Sequence, residues 1–187
     1  MMKNKTHFLF PLITAFILSI SGCKNTDISV PAAYPPETAE YVLSNDNSDE
    51  AYTVINDNIP TFSKDEITTE SFEYYSELDE LGRCGPAAAC IGVDLMPTEE
   101  RGSIGQVKPS GWQMAKYDIV DGKYLYNRCH LIGYQLSGEN ANEKNLITGT
   151  RYLNVDGMLP FENMVADYVR ETGYHVMYRV TPVFEGD

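Results

Sequence analysis

Histidine is scarce in this sequence, with His7, His130 and His175 its only examples, so few groups are available as a general base near neutral pH. Cysteine is scarce too. Of the four, Cys84 and Cys90 stand six positions apart, which is not the spacing of a zinc knuckle. Basic residues are outnumbered, 14 Lys and Arg against 27 Asp and Glu, for a formal net charge of −13, a balance that argues against bulk attraction to nucleic acid until its distribution along the chain is considered. The apolar run at residues 8–20 has 13 positions, short of the roughly 20 that a spanning helix needs. No internal repeat is present, which excludes a solenoid. The acids at Glu77, Asp79 and Glu80 lack the alternating oxygen ligands and central glycine of a calcium loop, and read as a solvated face.

The apolar run, preceded by Lys3 and Lys5, has the pattern of an export signal. It ends in Ile20-Ser21-Gly22-Cys23, which resembles the lipobox of bacterial lipoproteins, so Cys23 is the expected site of lipidation and the membrane anchor of an exported, cell-surface protein; plain secretory cleavage, giving a secreted protein, or an uncleaved anchor is the alternative. Residues 23–50, rich in Pro, Ala, Ser, Asn and acids, read as a flexible acidic tether. One domain is then expected at 51–187, enough chain for a single core. Signal removal leaves Cys84, Cys90 and Cys129, an odd number that allows at most one internal disulfide and otherwise packed free thiols.

Charge is unevenly spread. Residues 23–80 carry 2 basic and 14 acidic side chains, whereas 101–151 carry 7 basic and 4 acidic ones, so positive charge gathers in one stretch. Along the domain, residues 53–62 start like a short strand broken by Asn-Asp-Asn and Pro60, and 71–82 suit a turn or short helix. Small and apolar residues at 82–105 fit a buried strand between turns. Asp121-Gly122, between KYDIV and KYLYN, predicts a two-residue hairpin whose second strand ends on Arg128 and His130. A short helix ending at Gly138 follows. Pro160 opens a longer helix, with Phe161, Met164, Val165, Tyr168 and Val169 at helical spacing and Gly173 as its stop. Residues 175–184 alternate as a strand and end in Glu-Gly-Asp, either at a sheet edge or where the sequence is cut short.

The chemistry concentrates in 126–162. His130 is the candidate base, and Arg128, two positions before it on a strand, shares its face and is placed to grip a phosphate oxygen. His175 sits in a plain alternating strand and reads as structural. Asn154 and Glu162 follow; alone they would be a turn residue and a first-turn acid favoured by the helix dipole.

NRCHLIGYQLSG followed by NLITGTRYLNVDGMLPFE resembles the DNA/RNA non-specific endonuclease family of the ββα-metal (His-Me finger) type, especially its bacterial branch of DNA-uptake nucleases. The likeness covers roughly residues 51–187 and includes YSELDELGRCG and MPTEERGSIGQVKPSGW. It implies an α+β fold, a central mostly antiparallel sheet flanked by helices. It also implies a metal-dependent endonuclease that hydrolyses phosphodiester bonds of DNA, and of RNA, through contacts to backbone phosphates, leaving 5′-phosphate ends. His130 becomes the general base and Arg128 the stabiliser of the transition state. Asn154 becomes the main protein ligand of Mg2+, with Mn2+ as a substitute, and Glu162 holds one of the metal's waters. Arg101 matches a second phosphate-binding arginine, with Arg151 and Lys116 as lesser phosphate contacts. The family's Asp-Arg-Gly-His stands here as Asn127-Arg128-Cys129-His130, which bears on backbone geometry at Cys129. The reading from another class is a surface lipoprotein that binds nucleic acid or a protein partner on a nuclease-like fold without cutting.

Overall fold

A computed structural model describes residues 51–186. The export signal, the tether and Cys23 lie outside the described residues, as does Asp187. Strand β2 (Ala87–Ile91) is the centre of a three-stranded antiparallel sheet, flanked by β1 (Phe72–Tyr75) and β5 (Val176–Val180). All five of its residues are buried, as the small and apolar run at 82–105 leads one to expect. Ala87, Ala89 and Ile91 turn one face to the core, where they meet Leu131, Ile132, Leu136, Ala166 and Val169. Ala88 pairs with Arg179 on the other face. There residues 61–68 strap the sheet: Arg179 bonds Glu66 at 3.0 Å and the Thr61 hydroxyl at 2.7 Å, and lies over the Phe62 ring.

Strands β3 (Tyr126–His130) and β4 (Leu146–Thr150) form a separate two-stranded antiparallel sheet. Between them lie the short helix α1 (Tyr134–Ser137), closed by left-handed Gly138, and a 3-10 turn at Glu143–Asn145. After β4 comes a π-helical turn, Leu153–Met158, that runs into α2 (Leu159–Thr172), which stops at left-handed Gly173. β3, β4 and α2 make a ββα unit, and α2 packs on α1.

Three expectations need correction. Residues 72–75 are strand, not turn or helix, because Phe72, Tyr74 and Tyr75 pair along β2 and aromatics suit a half-buried ladder. Residues 53–62 hold no strand; Asn56, Asp57 and Asn58 all adopt positive φ, and a short 3-10 turn forms there. Asp121-Gly122 does not close a two-residue hairpin. Lys116 bridges Tyr124 across a longer loop in which both Gly122 and Lys123 have positive φ, and β3 takes its partner from β4 instead. Pro160 stands in the first turn of α2 as expected, although a π-helical turn, Leu153–Met158, already leads into it. The Leu159 N–H reaches the Asn154 carbonyl, five residues back. Pro160 has no N–H to restore the four-residue ladder there, so the turn stays wide.

That extra residue sets which face α2 buries. Phe161, Met164 and Tyr168 are exposed, while Glu162, Ala166 and Val169 are buried. Small Ala166 permits close approach, and a carboxylate takes an inward position that the apolar spacing alone did not predict.

Candidate active site

His130 ends β3, opposite Leu146, and Arg128 lies on the same face opposite Thr148. The imidazole is 6% exposed. Its Nε2 donates to the Asn140 carbonyl at 2.8 Å; a carbonyl only accepts, so Nε2 carries the proton and Nδ1 keeps the lone pair. Arg101 Nη2 lies 3.3 Å from that Nδ1. Burial holds the His130 pKa below its ordinary value and the Arg101 charge lowers it further, against a raising effect of the Asn140 carbonyl. The ring is therefore neutral and able to accept a proton near pH 7.

Two residues absent from the sequence reading hold this geometry. Asn145, fully buried, clamps the chain just after His130: its Oδ1 accepts from Ile132 N–H at 2.8 Å and its Nδ2 donates to the Ile132 carbonyl at 3.0 Å. Asn140 supplies the carbonyl for His130 and reaches the Ser103 carbonyl with Nδ2 at 3.4 Å, tying the Arg101 loop to the same point. Their only sequence signal is a density of Asn at 140–145 that reads as a polar loop.

Glu162 enters from α2 and is 9% exposed. A Cβ on Gly133 would come within 2.3 Å of its Oε2, so Gly133 is needed for the space it leaves to the carboxyl. Burial raises the Glu162 pKa to about 7, with a Gln135 hydrogen bond and the Arg101 charge acting the other way. The charge of Arg101 thus acts on both His130 and Glu162.

Arg101 also lines an open cleft of about 470 Å³ with Arg128, Arg151, Asn127 and Asn154, walled by Trp112, Met114, Tyr124 and Tyr126. The structure brings the predicted arginines and Asn154 to one place, and Arg101 joins them to His130 and Glu162. Lys116 stands at its rim, 4.5 Å over the Tyr124 ring. The cations are partly committed, however. Arg128 donates Nε to the Val107 carbonyl and Nη2 to the Gly105 carbonyl at 2.9 Å, and lies 3.7 Å over the Trp112 ring. Arg151 Nη2 pairs with Asp121 at 2.8 Å.

The three described cysteines are free and buried. No cluster of three His, Cys, Asp or Glu stands together among the described residues; among the oxygen donors that line the cleft are side-chain amides. Asn154 fits that donor set: it lines the cleft, and its side-chain amide makes no hydrogen bond among the described residues. Such a site suits a hard cation that keeps most of its waters.

In the order β3, β4, α2, a histidine closes the first strand and an asparagine leads into the helix. Residues 63–187 match the sequence pattern of the DNA/RNA non-specific endonucleases. The chain belongs to the DNA/RNA non-specific endonuclease family. Its fold is the α+β, ββα-metal arrangement expected from the sequence, with the antiparallel strands shared between two sheets. The fold of this family member is similar to NucA from Streptococcus agalactiae, solved with a magnesium ion bound, at TM-score 0.57 and 23% identity over 67% of this chain and 61% of NucA. It is also similar to the Sda1 nuclease solved with a bound zinc ion, at TM-score 0.51 and 28% identity over 62% of this chain and 63% of Sda1. NucA without metal gives 0.54 and 22%, over 63% and 58%. This family member therefore spans less than two thirds of the length of those nucleases. No curated relative matches it in sequence.

Proposed function

We propose that this protein is a metal-dependent endonuclease that hydrolyses the phosphodiester backbone of DNA, and of RNA, with little sequence preference. The observation that carries the reading is the state of His130, a buried neutral imidazole whose Nε2–H is fixed on Asn140 and whose Nδ1 lone pair faces Arg101. Family membership and the nuclease neighbours support it.

In this mechanism Nδ1 of His130 takes a proton from the attacking water, and the imidazolium that forms is held in place by the Asn140 carbonyl. Arg101 Nη2 serves the phosphate rather than the ring once substrate is bound, and with Arg128 it offsets the charge of the five-coordinate phosphorus. Positioning falls to Asn145 and Gly133, which keep the β3 end and the Glu162 carboxyl where they are. Asn154 is the residue to hold Mg2+, or Mn2+ as a substitute, with Glu162 orienting a water. Bound there, such an ion would supply Lewis-acid stabilisation of the developing charge and help to the departing 3′ oxygen; attack of the activated water with departure of the 3′ oxygen leaves 5′ phosphates. Arg151 and Lys116 contact phosphates further along the strand. The same reading places the protein outside the cytoplasm, tethered through Cys23.

Supercoiled plasmid separates this from the non-cutting binder. The wild-type protein converts it to open circles and fragments with Mg2+ and leaves it intact in EDTA, while His130→Ala is slower by roughly 10²–10⁴-fold. A shifted but uncut band under both conditions, or an equally active His130→Ala, overturns the reading.

A further inference from the structure

The cleft that holds the arginines is walled by aromatic side chains, and its cations are already occupied to a degree that limits their hold on phosphate. Arg128 spends two guanidinium nitrogens on the Val107 and Gly105 carbonyls, Arg151 is paired with Asp121, and the chain carries a net charge of −13. Gripping a stiff duplex by charge alone is poorly served by this inventory. What the cleft offers instead is flat apolar surface. Trp112, Tyr124 and Tyr126 line it with Met114, which is 73% exposed.

Tyr124 is the ring best placed to use. It pairs with Lys116 at the base of a loop whose ends are tied by the Tyr117 N–H to the Lys123 carbonyl at 2.9 Å and by the Leu125 N–H to the Ala115 carbonyl at 3.0 Å. Lys116 Nζ lies 4.5 Å over its ring, yet Tyr124 remains 42% exposed. A cation against one aromatic beside exposed ring surface is the arrangement on which an unpaired nucleobase stacks, since every base has a π-face. Bases inside a duplex present only their edges to a protein and cannot reach such a ring without leaving the stack.

We propose that the cleft selects unpaired nucleic acid, with Tyr124 as a stacking platform for a base next to the scissile phosphate. This rests on the nuclease reading for its consequence, but it is a statement about binding and can be tested apart from cutting. Full-length protein in EDTA would be titrated against a fluorescein-labelled 12-nucleotide single strand, the duplex of the same sequence, and the single strand with abasic sites at its centre. The expected result is single-strand binding at least about tenfold tighter than duplex binding, with the abasic strand falling to the duplex level. Tyr124→Ala lowers single-strand affinity about tenfold and leaves duplex affinity within twofold, and Tyr124→Phe keeps the wild-type pattern. Equal affinity for single strand and duplex, or a Tyr124→Ala loss shared equally by both, overturns it. If the labelled single strand stays uncut with Mg2+ while the single-strand preference holds, the nuclease reading fails and this one stands.

Discussion

The sulfur of Cys129 occupies the space that Gly149 leaves empty on the neighbouring strand: a Cβ on Gly149 would lie 2.6 Å from Sγ. In the β3–β4 ladder Cys129 pairs with Ile147 and Asn127 with Gly149, whereas Arg128 and His130 pair with Thr148 and Leu146. Alternation puts Cys129 on the face opposite the two catalytic candidates. The cysteine that stands where the family has glycine therefore packs on the face opposite Arg128 and His130, fully buried, with its thiol pKa pushed up to about 12 by that burial. Gly149→Ala should cost about 1–3 kcal/mol through overpacking. Cys129→Gly should also destabilise, and the double variant should be more stable than the two single losses added together, because the smaller residue removes the clash. Urea unfolding of the four proteins measures this, and strict additivity would contradict it.

The pH dependence follows from the groups around His130. Because burial and Arg101 lower its pKa, the acidic limb of kcat/KM should fall below the ordinary 6.5. Arg101→Ala removes a charge that disfavours the imidazolium, so the limb should move up towards 6.5 while activity falls. The stability sign is the reverse of that for a paired histidine. The unfolded chain takes up the proton first, so this contribution is present above 6.5 and is lost as pH falls from there towards the folded pKa. A pH–rate profile with the same limb in both proteins would remove Arg101 from this role.

Asn145→Ala leaves the Ile132 N–H and carbonyl unpaired in a buried site, at roughly 1–3 kcal/mol for each group. The expected result is a loss of about 2–5 kcal/mol in unfolding free energy, with activity falling at temperatures where the variant is still folded, since the clamp also sets the end of β3. Circular dichroism melts alongside plasmid assays check both. A fully active, fully stable variant would show that the clamp is dispensable.

Removal of the Asn154 amide tests the metal assignment. Asn154→Ala should raise the Mg2+ concentration for half-maximal cutting by roughly an order of magnitude or more, as losing a ligand does, without changing the melting temperature in EDTA. An unchanged Mg2+ requirement would move the cation elsewhere.

The partly committed arginines predict a shallow salt dependence. With Arg101 and a portion of Arg128 as the main available charges in the cleft, the plot of log affinity against log salt should have a slope of magnitude about 1–3. A steep slope near that of a protein neutralising many phosphates would show that a basic surface beyond this cleft dominates binding.

Local chemistry accounts for what was legible in the sequence. The glycines at 138 and 173 stop helices because each takes positive φ at little cost. The run at 87–91 is buried because its residues are small and apolar on both faces, and Arg128 and His130 share a face because strands alternate. The resemblance of NRCHLIGYQLSG and NLITGTRYLNVDGMLPFE was enough to indicate the family. Tertiary structure decided the rest, because it depends on contacts between residues far apart in sequence. Turn propensity at Asp121-Gly122 pointed to a partner for β3 in the preceding residues, but the ladder to β4 formed instead. The aromatic residues of β1 read as strand only once β2 lies beside them. Glu162 became buried because the π turn before Pro160 rotates α2 and Gly133 leaves room for a carboxyl. Arg101 meets His130 from 29 residues away, and only packing of its loop on Asn140 brings the charge that sets the state of the base.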